Sequence, residues 1–423
     1  MSRVMKHSGI EWIGEIPKEW KTISFSNGIL RMSTGLNPRD NFELSKDDEY
    51  YYVTIKNFKD GKIYLDDNCD RISKQAWGII QERSQLEKGD ILFASISKDG
   101  QAYILEEPPV NWNINESVFS IRTNHDYFAD KYFYYHIIDS EYYNDLRLDA
   151  TGTTFQSIKQ NKLRKSILCL PPLHEQQKIA DYLDKVCGEV DDMIALQEQM
   201  IEELKAYKQS VITDAVTKGL NHNVPMKDSG IDWIGEVPEH WKIKKIGFIF
   251  NNLDYLREPI SAELRERNNP QYNYYGASGV IDKIDHYNVE DKVLLIGEDG
   301  ANLVMRNLPL IYKAEGRFWV NNHAHILKPI KDDYNYMAHT LEAADYRNYI
   351  TGFAQPKLSQ ENLKAVKLPV PPLFEQQSIA SYLDDKCAEI DAMIALKQSK
   401  IEELKEYKKS VIYEYVTGKK EIA

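Results

Sequence analysis

Apolar residues in the stretch after Glu175 fall at Leu183, Cys187, Val190, Ile194, Ile201, Leu204 and Val211, with polar and charged positions between them. Steps of four, three, four and seven mark a heptad seam, which predicts a long helix that pairs with another helix. The stretch after Glu375 repeats the seam slot for slot, at Leu383, Cys387, Ile390, Ile394, Ile401, Leu404 and Val411. Polar residues interrupt both seams, at Gln197 and Lys208 in the first and at Lys397 and Lys408 in the second. Prolines precede the two stretches and Gly219 and Gly418 follow them, as suits helix boundaries. A helix of about 43 residues is a rod of roughly 65 Å.

Elsewhere the pattern is shorter and mixed. "EYYYVTI" (49–55), "DILFASI" (90–96) and "ESVFSIR" (116–122) read as strands, followed by an aromatic amphipathic helix from about Tyr127 to Leu148. Later come "KVLLIGEDG" (292–300), "VNNHAHILKP" (320–329) and a helix from about Tyr334 to Tyr349. Strands and helices thus alternate in two blocks, each ahead of a long helix.

The chain is a duplication. "SGIEWIGEIPKEW" at 8–20 returns as "SGIDWIGEVPEHW" at 229–241, an offset of 221. "PPLHEQQKIADYLD" from Pro171 returns as "PPLFEQQSIASYLD" from Pro371, an offset of 200. The missing 21 residues are extra sequence in the first copy, placed between Trp20 and the strand near Asp90. From that strand on, Asp99-Gly100 aligns with Asp299-Gly300 and Thr151-Gly152 with Thr351-Gly352. Two copies are too few for a solenoid and suggest a pseudo-twofold molecule, whose axis sets the two rods antiparallel. The expected fold is α+β: two pseudo-twofold-related domains, 1–170 and 220–370, separated by long helices at 171–219 and 371–423 that form an antiparallel coiled coil.

Composition changes this picture little. At 423 residues, 42% hydrophobic and 28% charged, the chain is an ordinary globular protein of two or three domains. No run approaches the roughly 20 apolar residues of a membrane span, and "MSRVMKHSGI" lacks the apolar core of a secretion signal. Four scattered cysteines (Cys69, Cys169, Cys187, Cys387) without a C-x-x-C pair suit a reduced, cytoplasmic protein. A net charge of −12 argues against nucleic acid, yet its location weakens the objection. Residues 175–219 carry ten acids against five bases, and 375–423 carry ten against eight. Residues 150–174 contain Lys159, Lys162, Arg164 and Lys165 and no acid.

Catalytic machinery is not visible in the motifs. There is no Gly-rich cofactor loop, Walker A lysine or H-E-x-x-H, and "LPPL" and "VPPL" lack the Asn or Asp and the aromatic of an amino-methyltransferase. The "EELK" in each heptad helix has no partner carboxylate and reads as surface charge. His323 and His325 share a strand face, but a third metal ligand is missing nearby, so a polar strand end is the better reading.

Binding candidates lie at a turn and a polar loop in each copy. "SISKDGQ" (95–101) supplies Lys98 and Gln101; "IGEDGAN" (296–302) and its sequel supply Asn302 and Arg306, although a hairpin turn explains the same glycines. "TGTTFQSIKQNKLRK" (151–165) offers Thr153, Thr154, Gln156, Lys159, Lys162 and Arg164, a mixture suited to phosphates and base edges. "TGFAQPKLSQENLKA" (351–365) keeps the apolar positions (Ile158/Leu358, Leu163/Leu363) and changes most polar ones, offering Gln355 and Lys357. Its Pro356 and lower positive charge point to a different contact.

These features together resemble the DNA-specificity subunit of a type I restriction–modification system: the twice-used "W-I-G-E-[IV]-P", the "DILF…DG" and "TG…L" blocks, and "PPL-x-EQQ-x-IA-x-YLD" heading each helix. The resemblance spans essentially the whole chain. It implies a non-catalytic subunit with two target-recognition domains, each reading half of a split, asymmetric site in double-stranded DNA. It further implies helices that set the unread gap and dock two methyltransferase subunits, with translocase/nuclease subunits completing the complex. S-adenosylmethionine, ATP and Mg would then belong to those partners, with no cofactor in this chain and no membrane involved. Half-sites about one helical turn apart, roughly 34–36 Å, suit two domains on one DNA face. Lengthening the connection near His222 is expected to alter the gap. A protein-binding helical scaffold, or a lone nuclease or methyltransferase, are the alternatives; the first lacks salt-dependent DNA affinity and the second is active alone.

Overall fold

A computed structural model describes residues 3–38, 41–59, 61–96, 101–147, 157–265, 271–299, 302–352 and 356–422. The chain divides into two compact units, residues 1–197 with 399–423, and residues 198–398. The long helices run Leu173–Lys218 and Leu373–Val416. The unit boundary cuts both helices near the middle, so each unit holds the opening half of one and the closing half of the other.

Inside each unit the two halves are antiparallel. In the first, Lys408 reaches Asp191 at 2.7 Å while the Tyr182 and Tyr415 rings lie 4.5 Å apart. In the second, Lys208 reaches Asp391 at 2.7 Å and Lys397 Nζ meets Met200 Sδ at 3.3 Å. Two of the polar interruptions in the heptad pattern are therefore cross-helix ion pairs. Of the seam, Leu183, Cys187, Val190, Ile201, Leu383, Cys387, Ile390, Ile401 and Val411 are buried. Ile194, Leu204, Val211, Ile394 and Leu404 are half-buried.

The helix halves also enter the domain cores. Val411, Ile412, Tyr415 and Val416 pack with the first unit's sheet and helices, as Ile212, Ala215 and Val216 do in the second. Helix residues beyond 170/171 and 370/371 are thus part of each unit's core.

The repeated opening phrase and the repeated helix head are physical partners. Trp20 and Trp241 are wholly buried, and each donates its indole N–H to a helix-head glutamate, Glu175 at 2.9 Å and Glu375 at 3.0 Å. Arg3 forks onto Glu175 in the first unit, and His240 meets Glu375 at 2.7 Å in the second. The next residue locks the turn ahead of the aromatic helix. Gln176 accepts from Ala129 N and donates to the Tyr127 and Pro171 carbonyls; Gln376 accepts from Asp333 N and donates to Asp332 and the Pro371 carbonyl. Tyr132 and Tyr336 then donate their hydroxyls to the Val416 and Val216 carbonyls at the helix ends.

Each unit has the same central sheet. In the first, the order is Ala102–Ile104, Ile91–Ala94, Val118–Thr123, Ile29–Thr34, all antiparallel. In the second, Ile311–Val320, Val289–Gly297, Ala324–Pro329 and Phe250–Asn252 take those places, and Tyr272–Gly276 and Gly279–Ile284 extend the sheet. Ala94 faces Val118 as Gly297 faces Ala324, so this strand is offset by 203 and not by the 200 of the aspartate–glycine alignment. Between Trp20 and Asp90 the first copy holds a helix, Lys74–Ser84, and two strands, Tyr50–Val53 and Arg71–Ile72, which join Trp112–Ile114 in a small three-stranded sheet.

The aromatic helices are shorter than their periodicity implies. The first breaks into Asp130–Ile137 and Ser140–Arg147, because Asp139 accepts from the Glu141 and Tyr142 N–H groups and starts a new helix; Leu148 lies outside the described residues. The second ends at Ala343, before a single 3-10 turn, Arg347–Tyr349.

Candidate nucleic-acid interface

The basic run of the first copy forms a short helix, Gln160–Lys165, held by Ile158 and Leu163, both buried. Its entry is tied to a strand end, Ile158 N donating to the Ser95 carbonyl at 2.8 Å. Lys159 is exposed at the helix N-cap, and Lys162 and Arg164 are half-buried on the helix itself. The helix itself carries Lys162, Arg164 and Lys165 and no acid. Gln101 is half-buried and its carbonyl accepts from Ala94 N at 2.9 Å. Lys98, Thr153, Thr154 and Gln156 lie outside the described residues.

In the second unit the corresponding entry is tied the same way, Leu358 N donating to the Glu298 carbonyl at 2.7 Å. Thr351 and Lys357 exchange two backbone hydrogen bonds, at 2.8 and 2.9 Å, and pinch the base of a loop; Gln355 lies outside the described residues. Lys357 is exposed, with its ammonium 3.0 Å from Glu298. Asn302 and Arg306 have other partners. Asn302 accepts from Leu308 N and donates to the Leu308 and Pro309 carbonyls, while Arg306 donates to the carbonyls of Glu342 and Ala344. Asn302 thus closes its own loop and Arg306 ties that loop to the end of the helix Tyr334–Ala343, while Lys357 is exposed.

Beneath Lys357 is a buried charge cluster that spacing alone did not reveal. His325 meets Asp254, Arg257 lies against Glu298, and Gln360 donates to Asn252 and Asp254. Burial would raise both carboxyls; instead the His325 hydrogen bond and charge, Ile326 N–H and Arg257 hold Asp254 below the carboxylate range, and Lys357 and Arg257 do so for Glu298. The two histidines of "NNHAH" part company, since His325 faces this cluster and His323 bonds to Asp299 at 2.8 Å. The distant Asp254 and the local Glu298 could be joined to His325 only by the fold.

The helix pairs carry a second kind of surface. Met193, Leu196 and Tyr407 are exposed in the first unit, and Met393, Leu396 and Tyr207 in the second. In the second unit Met393, Leu396, Tyr207, Met200 and Leu204 line one shallow groove. Met193 and Met393, Leu196 and Leu396, and Tyr207 and Tyr407 occupy equal slots in the two copies yet lie off the heptad seam, a signal that was present in the sequence. Among the described residues, no helix is long and apolar enough to cross a membrane.

One frame used twice, with different polar side chains at the same loop base, defines a duplicated α+β protein built for recognition. The chain belongs to the type I restriction modification DNA specificity domain family, whose model matches residues 17–206 and 238–406. It is 21% identical over 443 residues to the type I restriction enzyme MjaVIII specificity subunit of Methanocaldococcus jannaschii, covering 96% of this chain and 93% of that one. It is 28% identical over 151 residues to the EcoBI specificity subunit of Escherichia coli, covering 35% and 31%. A solved chain from work on complex assembly and conformational transition of the type I R-M system shares the fold, with a TM-score of 0.69 at 15% identity and 95% and 98% coverage.

Proposed function

We propose that each unit of this specificity subunit reads one block of a split DNA site. The helix Gln160–Lys165 serves one block and the loop base at Lys357 the other. The observation that carries this reading is the shared tie, Ile158 to Ser95 and Leu358 to Glu298, which puts different polar side chains at one place on one frame. The paired helices set the unread gap. The exposed apolar patches around Leu196 and Leu396 receive the two methyltransferase subunits, because exposed apolar side chains in fixed positions on a rigid helix pair suit a protein partner. S-adenosylmethionine, ATP and Mg act in those and in the translocase/nuclease subunits, in the cytoplasm.

Mapping N6-methyladenine in the source strain, with the gene intact and deleted, tests the reading. The expected result is loss of one split motif, two short blocks around a fixed gap. A purified complex with its methyltransferase subunits that leaves every split motif unmethylated refutes it.

A further inference from the structure

The second unit buries charges at a place where the first unit, among the described residues, has none. His325 is wholly buried, with Nδ1 2.5 Å from Asp254 Oδ2 and Nε2 2.7 Å from the Leu358 carbonyl. Both neighbours are acceptors, so the ring donates from both nitrogens. Asp254 also accepts from Ile326 N at 2.8 Å, and Arg257 lies 2.5 Å from Glu298. At the same sheet register the first unit pairs Phe119 with Thr34, and Ser95 stands where Glu298 stands. The backbone tie to the recognition segment is nonetheless the same in both. Among the described residues the first unit's frame thus closes without buried charge, and burying charge carries a desolvation cost. The extra groups converge on one feature, the backbone and ammonium at the base of the 351–357 loop.

We propose that Asp254, His325, Arg257 and Glu298 are positioning residues for one DNA half-site, holding Leu358 and Lys357 so that the Lys357 ammonium meets a DNA phosphate. This deepens the recognition reading above and rests on it. The Asp254–His325 pair fixes the Leu358 carbonyl, and the Arg257–Glu298 pair fixes the side chain of the preceding residue. An ammonium has three donors, so Lys357 can keep Glu298 and take a phosphate oxygen at once. Phosphate contacts set register, and register decides which bases the neighbouring side chains reach.

The test uses the full chain assembled with its methyltransferase subunits, S-adenosylmethionine and a randomised duplex pool, read by sequencing of N6-methyladenine. A parent complex that methylates no split motif overturns the recognition reading itself. Given a split motif, His325→Phe/Asp254→Thr installs the apolar solution of the first unit. It is expected to raise the KM for DNA about tenfold with kcat unchanged, and to loosen base preference in one block only. Glu298→Gln, which keeps a partner for Lys357, gives a smaller shift of the same kind. Lys357→Met, an exposed change that leaves the core intact, should reproduce the KM effect in that block. Unchanged KM and unchanged blocks in the Lys357 and double variants overturn the proposal. So does equal loss of both blocks in a variant that melts with the parent.

Discussion

Single residues at the helix ends bear unequal loads in the two units, although the sequence writes them alike. Gly219 and Gly418 both adopt left-handed backbone, at φ of 76° and 70°. A Cβ on Gly418 would lie 2.5 Å from Pro17 Cδ and 3.0 Å from Trp20, whereas on Gly219 its nearest neighbour is Trp241 at 3.0 Å. Gly418→Ala is therefore expected to destabilise more than Gly219→Ala, each by at least about 1 kcal/mol from backbone strain, in denaturant melts. Equal midpoints for the two variants count against the packing difference. The helix-head glutamate gives a second residue-scale expectation. Glu175→Ala leaves the Trp20 indole N–H and the Arg3 guanidinium short of their acceptor and should cost about 1–3 kcal/mol in the same melts. The glycines and the glutamate were visible in sequence as repeats. Their partner tryptophans were visible too, but a repeat does not say what touches what; that needed the fold to bring 20 beside 175 and 241 beside 375.

At the scale of elements, the broken aromatic helix carries two buried titratable groups with opposed effects. Burial pushes Asp139 up to about 7 and His136 down to about 4. His136 Nε2 accepts from Cys169 N at 2.9 Å, which fits a neutral ring. From about pH 4 to 7 the unfolded chain has lost the Asp139 proton that the fold retains, so this group makes stability fall as pH rises. Between about pH 6.5 and 4 the unfolded chain binds a proton that folded His136 refuses, so that group makes stability fall as pH drops. The two slopes oppose one another from about pH 4 to 6.5. Asp139→Asn should then change the slope relative to the parent by about 1.4 kcal/mol per pH unit, in the direction of lower stability in acid. His136→Gln should change it the opposite way. Urea melts at several pH values decide; a variant with the parent's slope shows that its residue does not titrate on unfolding. The break at Asp139 also shows where periodicity misleads: apolar spacing continues through a residue whose carboxylate prefers to cap. The strand runs and the heptads were legible because burial repeats at a fixed period. The sheet register was not, because three residues of turn length shift the alignment without altering the alternation of side chains. The polar partners of Asn302 and Arg306 were hidden too, because backbone carbonyls, of its own loop for Asn302 and of a distant helix end for Arg306, compete for side chains that sequence alone assigns to a ligand.

For the whole molecule, the decisive feature is that each long helix belongs to both units, changing unit between Gln197 and Glu198 and between Gln398 and Ser399. His222 and the connection around it lie within the second unit. Lengthening the chain there adds loop to one unit and leaves the helices unchanged, so the gap in the DNA site should stay constant. This revises the expectation drawn from the sequence that lengthening the connection near His222 would alter the gap. The place to lengthen is the pair of crossing points. Four residues inserted in each helix add about 6 Å of rise, close to two base-pair steps of 3.4 Å. Four residues also turn the helix by little more than one revolution, so the cross-helix pairs Asp191–Lys408 and Lys208–Asp391, each inside one unit, are kept. The expected product of such a variant, assembled with its methyltransferase subunits, is a methylated motif with both blocks intact and a gap longer by one or two base pairs. Insertion near His222 should leave the parent motif. A longer gap from the His222 insertion, or altered blocks from the paired helix insertion, shows that the helices are not the ruler.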